Sequence, residues 1–82
     1  GVRSGIPDVL VFARHYNAVL DTEYTGLAVE LKTEHGRTSG NQDRWLDHLR
    51  GAGWYCEVCH EWTRAAALIL GWVGADPREW GV

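Results

Sequence analysis

The chain has 82 residues, 45% of them hydrophobic and five of them tryptophan, which indicates one small domain with a real core. A domain of this size buries only about 60% of the surface that its unfolded chain exposes, so support from a second subunit is expected. The formal net charge of −3 gives no bulk attraction for nucleic acid, and no apolar run is long enough to span a membrane.

The stretch from Gly26 to Lys32 is an apolar run that carries two opposite charges. Its side chains alternate between the two faces of a predicted strand, so Glu30 and Lys32 share one face. Lys32 is the only lysine among the eight basic residues, and lysine supplies a compact charge with an adjustable pKa. An exposed ion pair on an edge strand is the non-functional explanation, but Val29 and Leu31 favour a central strand.

A second apolar run begins at Asp8, after Pro7. Proline fits the start of a strand because it lacks an N–H, and we predict a buried strand over Val9 to Phe12. If this strand pairs antiparallel with the first run and Phe12 faces Gly26, Asp8 faces Glu30. Like charges so placed are destabilising, so either the register differs or a cation separates them. Mg²⁺ commonly binds one or two carboxylates with phosphate oxygens and water, which indicates metal-dependent phosphoryl transfer.

Other patterns predict the remaining elements. Ser39 and Gln42 form a capping box at the start of a helix that ends at Gly51 and Gly53. Gln42 lies on the inward stripe of this helix, and capping alone explains it as well as a role in the site does. Four further segments are predicted: a long loop or a loop with one helical turn over 13–25, a strand over 54–59, a helix over 61–73 that is buried on more than one side, and a helical turn over 76–79.

The segment from Cys56 to His60 has the Cys-x-x-Cys-His pattern of c-type haem attachment. We expect no haem, because the chain has no methionine for an axial ligand and no visible signal segment. A structural zinc site would need four ligands, and only His48 or His35 could join those of this segment, so we expect no zinc site. Strand alternation places Cys56 and Cys59 on opposite sides of a strand, which predicts buried free thiols.

Taken in order, Gly5-Ile6-Pro7-Asp8, the run ending Glu30-Leu31-Lys32, then Gly36-Arg37-Thr38-Ser39 and Gln42 form one pattern. It resembles the virus-type replication-repair nuclease domain, VRR-NUC, a branch of the PD-(D/E)xK nuclease superfamily. The similarity extends from about Gly1 to Val73. The resemblance implies an α/β fold with a restriction-endonuclease-like core, in which helices flank a mixed central sheet, as one domain over residues 1–82.

The first helix of the superfamily core has no counterpart in this sequence, and the chain contains no methionine. We therefore expect that residues precede Gly1 in the natural protein and that a partner subunit supports the site. The resemblance further implies that small stand-alone phage and bacterial members are homodimers. A cytoplasmic location, in a bacterial or phage-infected host cell, is expected.

The resemblance also implies the residues of the site. Asp8 and Glu30 are expected to hold Mg²⁺, with Mn²⁺ as the alternative ion, together with the main-chain carbonyl of Leu31. Lys32 is expected to position or activate the attacking water, and Gln42 corresponds to the family's glutamine. The residues predicted to bind nucleic acid are Arg3, Ser4, Arg37 and Ser39.

Members of the family act on DNA, and some act on branched structures. The sequence therefore predicts a metal-dependent DNA endonuclease that cuts branched DNA, such as a four-way junction or a flap, as a homodimer. The alternative is a nuclease-like module without activity that binds DNA or supports assembly.

Overall fold

A computed structural model describes residues 6–81, so Arg3 and Ser4 lie outside the described residues. Among residues 6–81, no helix combines the length and the apolar character needed to cross a bilayer. The elements in chain order are β1 (Val9–Val11), β2 (His15–Asn17), β3 (Thr22–Tyr24), β4 (Leu27–Leu31), α1 (Gly40–Gly51), β5 (Tyr55–Cys59), α2 (Trp62–Trp72) and a 3-10 turn (Pro77–Trp80).

Strand β4 is the centre of a three-stranded sheet with the order β1-β4-β5. It pairs antiparallel with β1 and parallel with β5, so the predicted mixed sheet is confirmed. Val9 lies opposite Val29 and Val11 lies opposite Leu27, which is the predicted register. One step beyond β1, the same register sets Asp8 opposite Glu30.

Helices cover both faces of this sheet. On one face, α2 contributes Ala65 and Trp72 to a core that includes Leu27, Val29 and Cys59 of the sheet. On the other face, α1 places its one buried side chain, Leu46, over β5. Ala28 is fully buried, and alternation along β4 sets it on the face opposite Leu27 and Val29, which is the α1 side.

The capping box at the start of α1 is confirmed. The Gln42 N–H donates to Ser39 Oγ, and the Ser39 N–H donates to Gln42 Oε1. Two of the N–H groups that a helix start leaves without partners are thereby satisfied. The helix ends at Gly51 with Ala52 as its C-cap, and Gly53 follows in the left-handed region with φ of 89°.

The predicted loop over 13–25 is wrong, because this segment forms the β2–β3 hairpin. Its turn is held by the Leu20 N–H, which donates to Asn17 Oδ1, and by Asp21 with φ of 48°. Each strand has only three residues, too few to give a recognisable alternation. The hairpin packs on α2, where Trp72 stacks on His15 at 4.6 Å between ring centroids.

Two burial predictions also need correction. Phe12 follows the end of β1 with 80% of its surface exposed, and the β1 residues are only half buried. The predicted burial of α2 on more than one side is met only in part. The helix contacts the sheet and the 3-10 turn, but Trp62 is 68% exposed and residues 66–70 are half buried.

Gly26, directly before β4, leaves room for the indole ring of Trp54. A Cβ at this position would lie 2.6 Å from the ring, so we expect Gly26→Ala to destabilise the domain by about 1–3 kcal/mol in urea denaturation. Gly51→Ala is the matched control, because nothing lies within 4 Å of its added Cβ and alanine favours helix. Trp54→Leu should remove most of the Gly26→Ala penalty. A Gly26→Ala protein as stable as wild type would contradict this packing.

Candidate active site

The antiparallel pair of β1 and β4 brings Asp8 to the end of β4. Asp8 Oδ2 accepts a hydrogen bond of 2.7 Å from the main-chain N–H of Leu31, which turns the carboxylate toward the central strand. The register and this bond together place Asp8 beside Glu30. Leu31 thus contributes its N–H to the orientation of Asp8, and the role of its carbonyl as a metal ligand stays a prediction.

Glu30 is a buried carboxylate on the central strand, with only 2% of its surface exposed. Its Oε1 accepts a hydrogen bond of 3.0 Å from Gln42 Nε2 and lies 3.7 Å from Lys32 Nζ. Its Oε2 is buried without a hydrogen-bond partner among the described residues. Because an unpaired buried carboxylate oxygen is costly, Oε2 marks a position where a positive group would be stabilised.

The surroundings raise the pKa of Glu30 from its ordinary value of 4.5 to about 7. Burial is the largest cause, because it disfavours the charged form. The neighbouring Asp8 raises the pKa further, through a hydrogen bond that Glu30 can make only in its protonated form and through like charge, and the Lys32 ammonium lowers it in part. The ionised Glu30 cannot make this bond, so its Oε2 then lacks a hydrogen-bond partner among the described residues. Positive charge beside Glu30, in the form of a proton or of a cation, is therefore stabilised at neutral pH.

The chemistry of these groups fits a hard divalent cation. Asp8 and Glu30 offer carboxylate oxygens, which suit Mg²⁺ and Mn²⁺, and Oε2 of Glu30 lacks a hydrogen-bond partner within the described part of the chain. Within residues 6–81 no group of three or more His, Cys, Asp or Glu side chains could enclose a metal. Two carboxylates with water and substrate oxygens are nevertheless a common Mg²⁺ environment, since this ion keeps several of its waters.

Gln42 caps α1 and also contacts Glu30, and its role in catalysis stays a prediction. Its carbonyl oxygen caps α1 through the Ser39 N–H, and its NH₂ group donates to Glu30. One amide thereby joins the start of the helix to the buried carboxylate. The assignment of the amide oxygen and nitrogen is consistent, because each end faces a group of the complementary kind.

Lys32 follows the last residue of β4 and is fixed there by its own backbone. Its N–H donates to the carbonyl of Cys59 at 2.9 Å, which extends the contact between β4 and β5. Its side chain is 19% exposed and keeps the ammonium beside Glu30. The ammonium is therefore partly shielded from water and lies at the edge of the site.

The model of the VRR-NUC domain family matches residues 1–62. This chain belongs to the VRR-NUC family. Membership confirms the resemblance read from the sequence and implies nuclease activity on DNA. The match ends at the start of α2, so the resemblance is shorter than the predicted extent to Val73. No curated protein and no solved structure shows significant similarity to the chain.

Two further predicted site residues of this VRR-NUC domain lie between β4 and α1. Arg37 is exposed on the loop, and Ser39 is the exposed N-cap of α1. Both are on the chain segment that leads from Lys32 to Gln42, so the loop begins and ends at the site. Their contacts with nucleic acid stay predictions, as do those of Arg3 and Ser4.

The Cys-x-x-Cys-His segment of this VRR-NUC domain forms β5 and the residue after it. Cys59 is buried and Cys56 is half buried, both as free thiols, and alternation along the strand sets them on opposite faces.

Sequence reasoning missed the contact of His60, whose Nε2 lies 2.9 Å from the carbonyl oxygen of Gly36. A histidine after a strand carries no signal of a partner 24 residues away.

The raised pKa of Glu30 predicts how the stability of the metal-free domain depends on pH. From about pH 4.5 to about pH 7 the folded state holds a proton that the unfolded state has lost, so stability should fall as pH rises through this window. Glu30→Gln cannot ionise. We therefore expect this variant to gain on the order of 3 kcal/mol over wild type between pH 4.5 and pH 8 in EDTA, measured by urea denaturation.

Glu79→Gln, at an exposed position in the 3-10 turn, is the control for the loss of one carboxylate. A Glu30→Gln effect that stays constant across the pH range would show that Glu30 ionises normally in the folded protein.

Proposed function

We propose that this VRR-NUC domain hydrolyses phosphodiester bonds in DNA with Mg²⁺ as cofactor, and that Asp8 and Glu30 hold the ion. The proposal is supported above all by the buried Oε2 of Glu30, which lacks a hydrogen-bond partner within the described chain while a second carboxylate lies beside it. A purely structural glutamate would have its second oxygen satisfied or exposed. Mn²⁺ has the same preference for oxygen ligands and is the alternative ion.

A bound divalent ion supplies Lewis-acid polarisation of the phosphate and a lowered pKa of bound water. The residues of the chain supply charge and orientation. Lys32 stabilises negative charge as water attacks phosphorus and the bond to the leaving oxygen breaks, because its ammonium is held at the edge of the site. The Leu31 N–H orients Asp8, and the Gln42 amide orients Glu30.

The predicted DNA contacts fit the placement of the described residues. Ser39 Oγ accepts the Gln42 N–H, which leaves its own O–H free to donate to a phosphate oxygen. Arg37 presents a guanidinium on the same loop, and arginine can bind phosphate through two parallel hydrogen bonds. Arg3 and Ser4 precede Asp8 closely in sequence, so the chain itself limits their distance from the site.

Replacement of the metal-binding and cationic side chains tests the nuclease proposal. We expect wild type to cut DNA in Mg²⁺ or Mn²⁺ and not in EDTA. We expect Asp8→Asn and Lys32→Ala each to lower the cleavage rate by roughly 10²–10³-fold while DNA binding is retained, because they remove charge stabilisation at the reacting phosphate. Cleavage is measured on labelled duplex, flap and four-way-junction DNA, and binding by fluorescence anisotropy.

Asp76→Asn is the matched control, since Asp76 is paired with Arg78 beyond α2. Binding without cleavage by the wild-type protein in either metal would instead support the alternative, a nuclease-like module that binds DNA. Cleavage that survives in EDTA would exclude the metal-dependent mechanism.

We also propose that the domain acts on branched DNA as a homodimer. Support comes from the apolar surface left on α2, where residues 66–70 are half buried and Trp62 is 68% exposed. A second copy packed against such a surface would be stabilised by burial of apolar area. Two copies carry two sites, which suits a substrate whose two strands must both be cut.

Sedimentation and cleavage measurements test the dimer. We expect wild type to sediment as a dimer, and Trp62→Glu to become monomeric and to lose preference for the four-way junction over duplex, because a charge would be buried in the contact. Glu61→Gln, at the adjacent N-cap, is the control. A wild-type monomer that prefers junctions would contradict the proposal.

A further inference from the structure

The loop between β4 and α1 is attached to the end of β5 at two points. The Lys32 N–H donates to the carbonyl of Cys59. His60, which follows Cys59, donates from Nε2 to the carbonyl of Gly36 at 2.9 Å. The acceptor is a carbonyl, so Nε2 carries the hydrogen. His60 therefore ties the middle of the loop to the sheet, 24 residues away in sequence.

Gly36 lies very close to two other residues of the loop. Its N–H donates to the Thr33 carbonyl at 2.9 Å, which closes a tight turn. A Cβ at position 36 would lie 2.9 Å from Thr33 Oγ1 and 3.2 Å from Lys32 Cβ. The turn thus packs directly against the backbone end of the lysine that belongs to the site.

The loop and the end of β5 border an open concavity of about 500 Å³, lined by residues 34–38 with Val58 and His60. Val58 is the register partner of Glu30 across the parallel pair of β4 and β5. Directly paired residues point to the same face of a sheet, so the floor of the concavity adjoins the buried carboxylate. The concavity is therefore next to the position of the scissile phosphate in the proposed reaction.

Arg37 lines this concavity and differs from most of the described arginines in its charge environment. Four of the others form ion pairs: Arg14 with Glu23, Arg50 with Asp47, Arg64 with Glu57, and Arg78 with Asp76. Within residues 6–81, Arg37 has no such carboxylate partner, although Glu34 lines the same concavity. In a chain of net charge −3, its guanidinium is available for an anion from outside.

We propose that this concavity binds a DNA phosphate that flanks the one cut, that Arg37 contacts this phosphate, and that His60 is the positioning residue that holds the loop in place. The inference deepens the proposed nuclease function, because it names the part of the substrate that the site holds beside the reacting bond. It assigns His60 a role through the Gly36 carbonyl and not as a metal or haem ligand.

The two attachments of the loop predict which kinetic constant His60 controls. Lys32 is fixed by its own bond to Cys59 and does not need His60 to remain beside Glu30. Loss of the His60 contact should therefore release Arg37 without moving the catalytic ammonium. We expect His60→Ala and Arg37→Ala to raise KM for DNA about tenfold and to change kcat less than twofold.

Binding measurements isolate the phosphate contact from catalysis. An Asp8→Asn protein is titrated with a fluorescein-labelled DNA duplex at several NaCl concentrations in EDTA. The slope of log Kobs against log[salt] is negative, and each phosphate contact makes it steeper by about 0.9. We expect Arg37→Ala and His60→Ala to make the slope shallower by about that amount, and His60→Gln to restore it, since a glutamine amide can donate to the Gly36 carbonyl.

Arg78→Ala, which removes an exposed arginine beyond α2, is the matched control and should leave the slope unchanged. Thermal unfolding of each variant confirms the fold, and the His60→Gln result distinguishes lost positioning from misfolding. An unchanged slope for Arg37→Ala overturns the subsite. A failure of His60→Gln to restore the slope overturns the role of His60. A wild-type protein that does not cut DNA but shows the Arg37-dependent slope would refute the nuclease proposal and leave the phosphate subsite standing.

Discussion

The burial of one carboxylate on the central strand is the constraint on which this domain depends. Glu30 is almost fully buried and has its pKa raised to about 7, with Asp8 beside it. A protein optimised only for stability would place an apolar side chain there, as it does at Leu27 and Val29 on the same strand. The buried position of Glu30 costs stability, but it brings carboxylate oxygens, an ammonium and an amide together at one end of the sheet.

The side chain of Gln42 contacts both the start of helix α1 and the buried carboxylate of the site. Gln42 caps the helix with its oxygen and holds Glu30 with its nitrogen, so the helix start and the rotamer of the carboxylate are fixed together. A carboxylate held in this way keeps Oε2 directed away from the amide and without a partner in the described chain. The helix amide and the Lys32 ammonium, which follows β4, both lie at Oε1, so helix and strand together leave Oε2 as the oxygen available to another group.

The sequence predicted the parts of this arrangement that follow from short-range rules. Alternation placed Glu30 and Lys32 on one face, and the capping box located α1. The antiparallel register with Phe12 opposite Gly26 was one of two alternatives that the sequence left open, and it is the one that the β1–β4 pairing continues. The β2–β3 hairpin was missed because its strands have only three residues each and because it is stabilised from a distance, as in the stacking of Trp72 on His15. The exposure of Phe12 and the contact of His60 with Gly36 depend equally on the assembled fold, and no local pattern encodes them.

A cation between Asp8 and Glu30 would link the stability of the domain to its function. The two carboxylates disfavour the folded state while they are charged and close together, and a ligand that binds only this state offsets the penalty by mass action. In a chain of 82 residues, where the total stability is small, such a term is a sizeable fraction of the whole. The metal-free domain would then be less stable than the domain with a bound cation. A substitution that prevents cation binding would therefore also remove this stabilisation of the folded state.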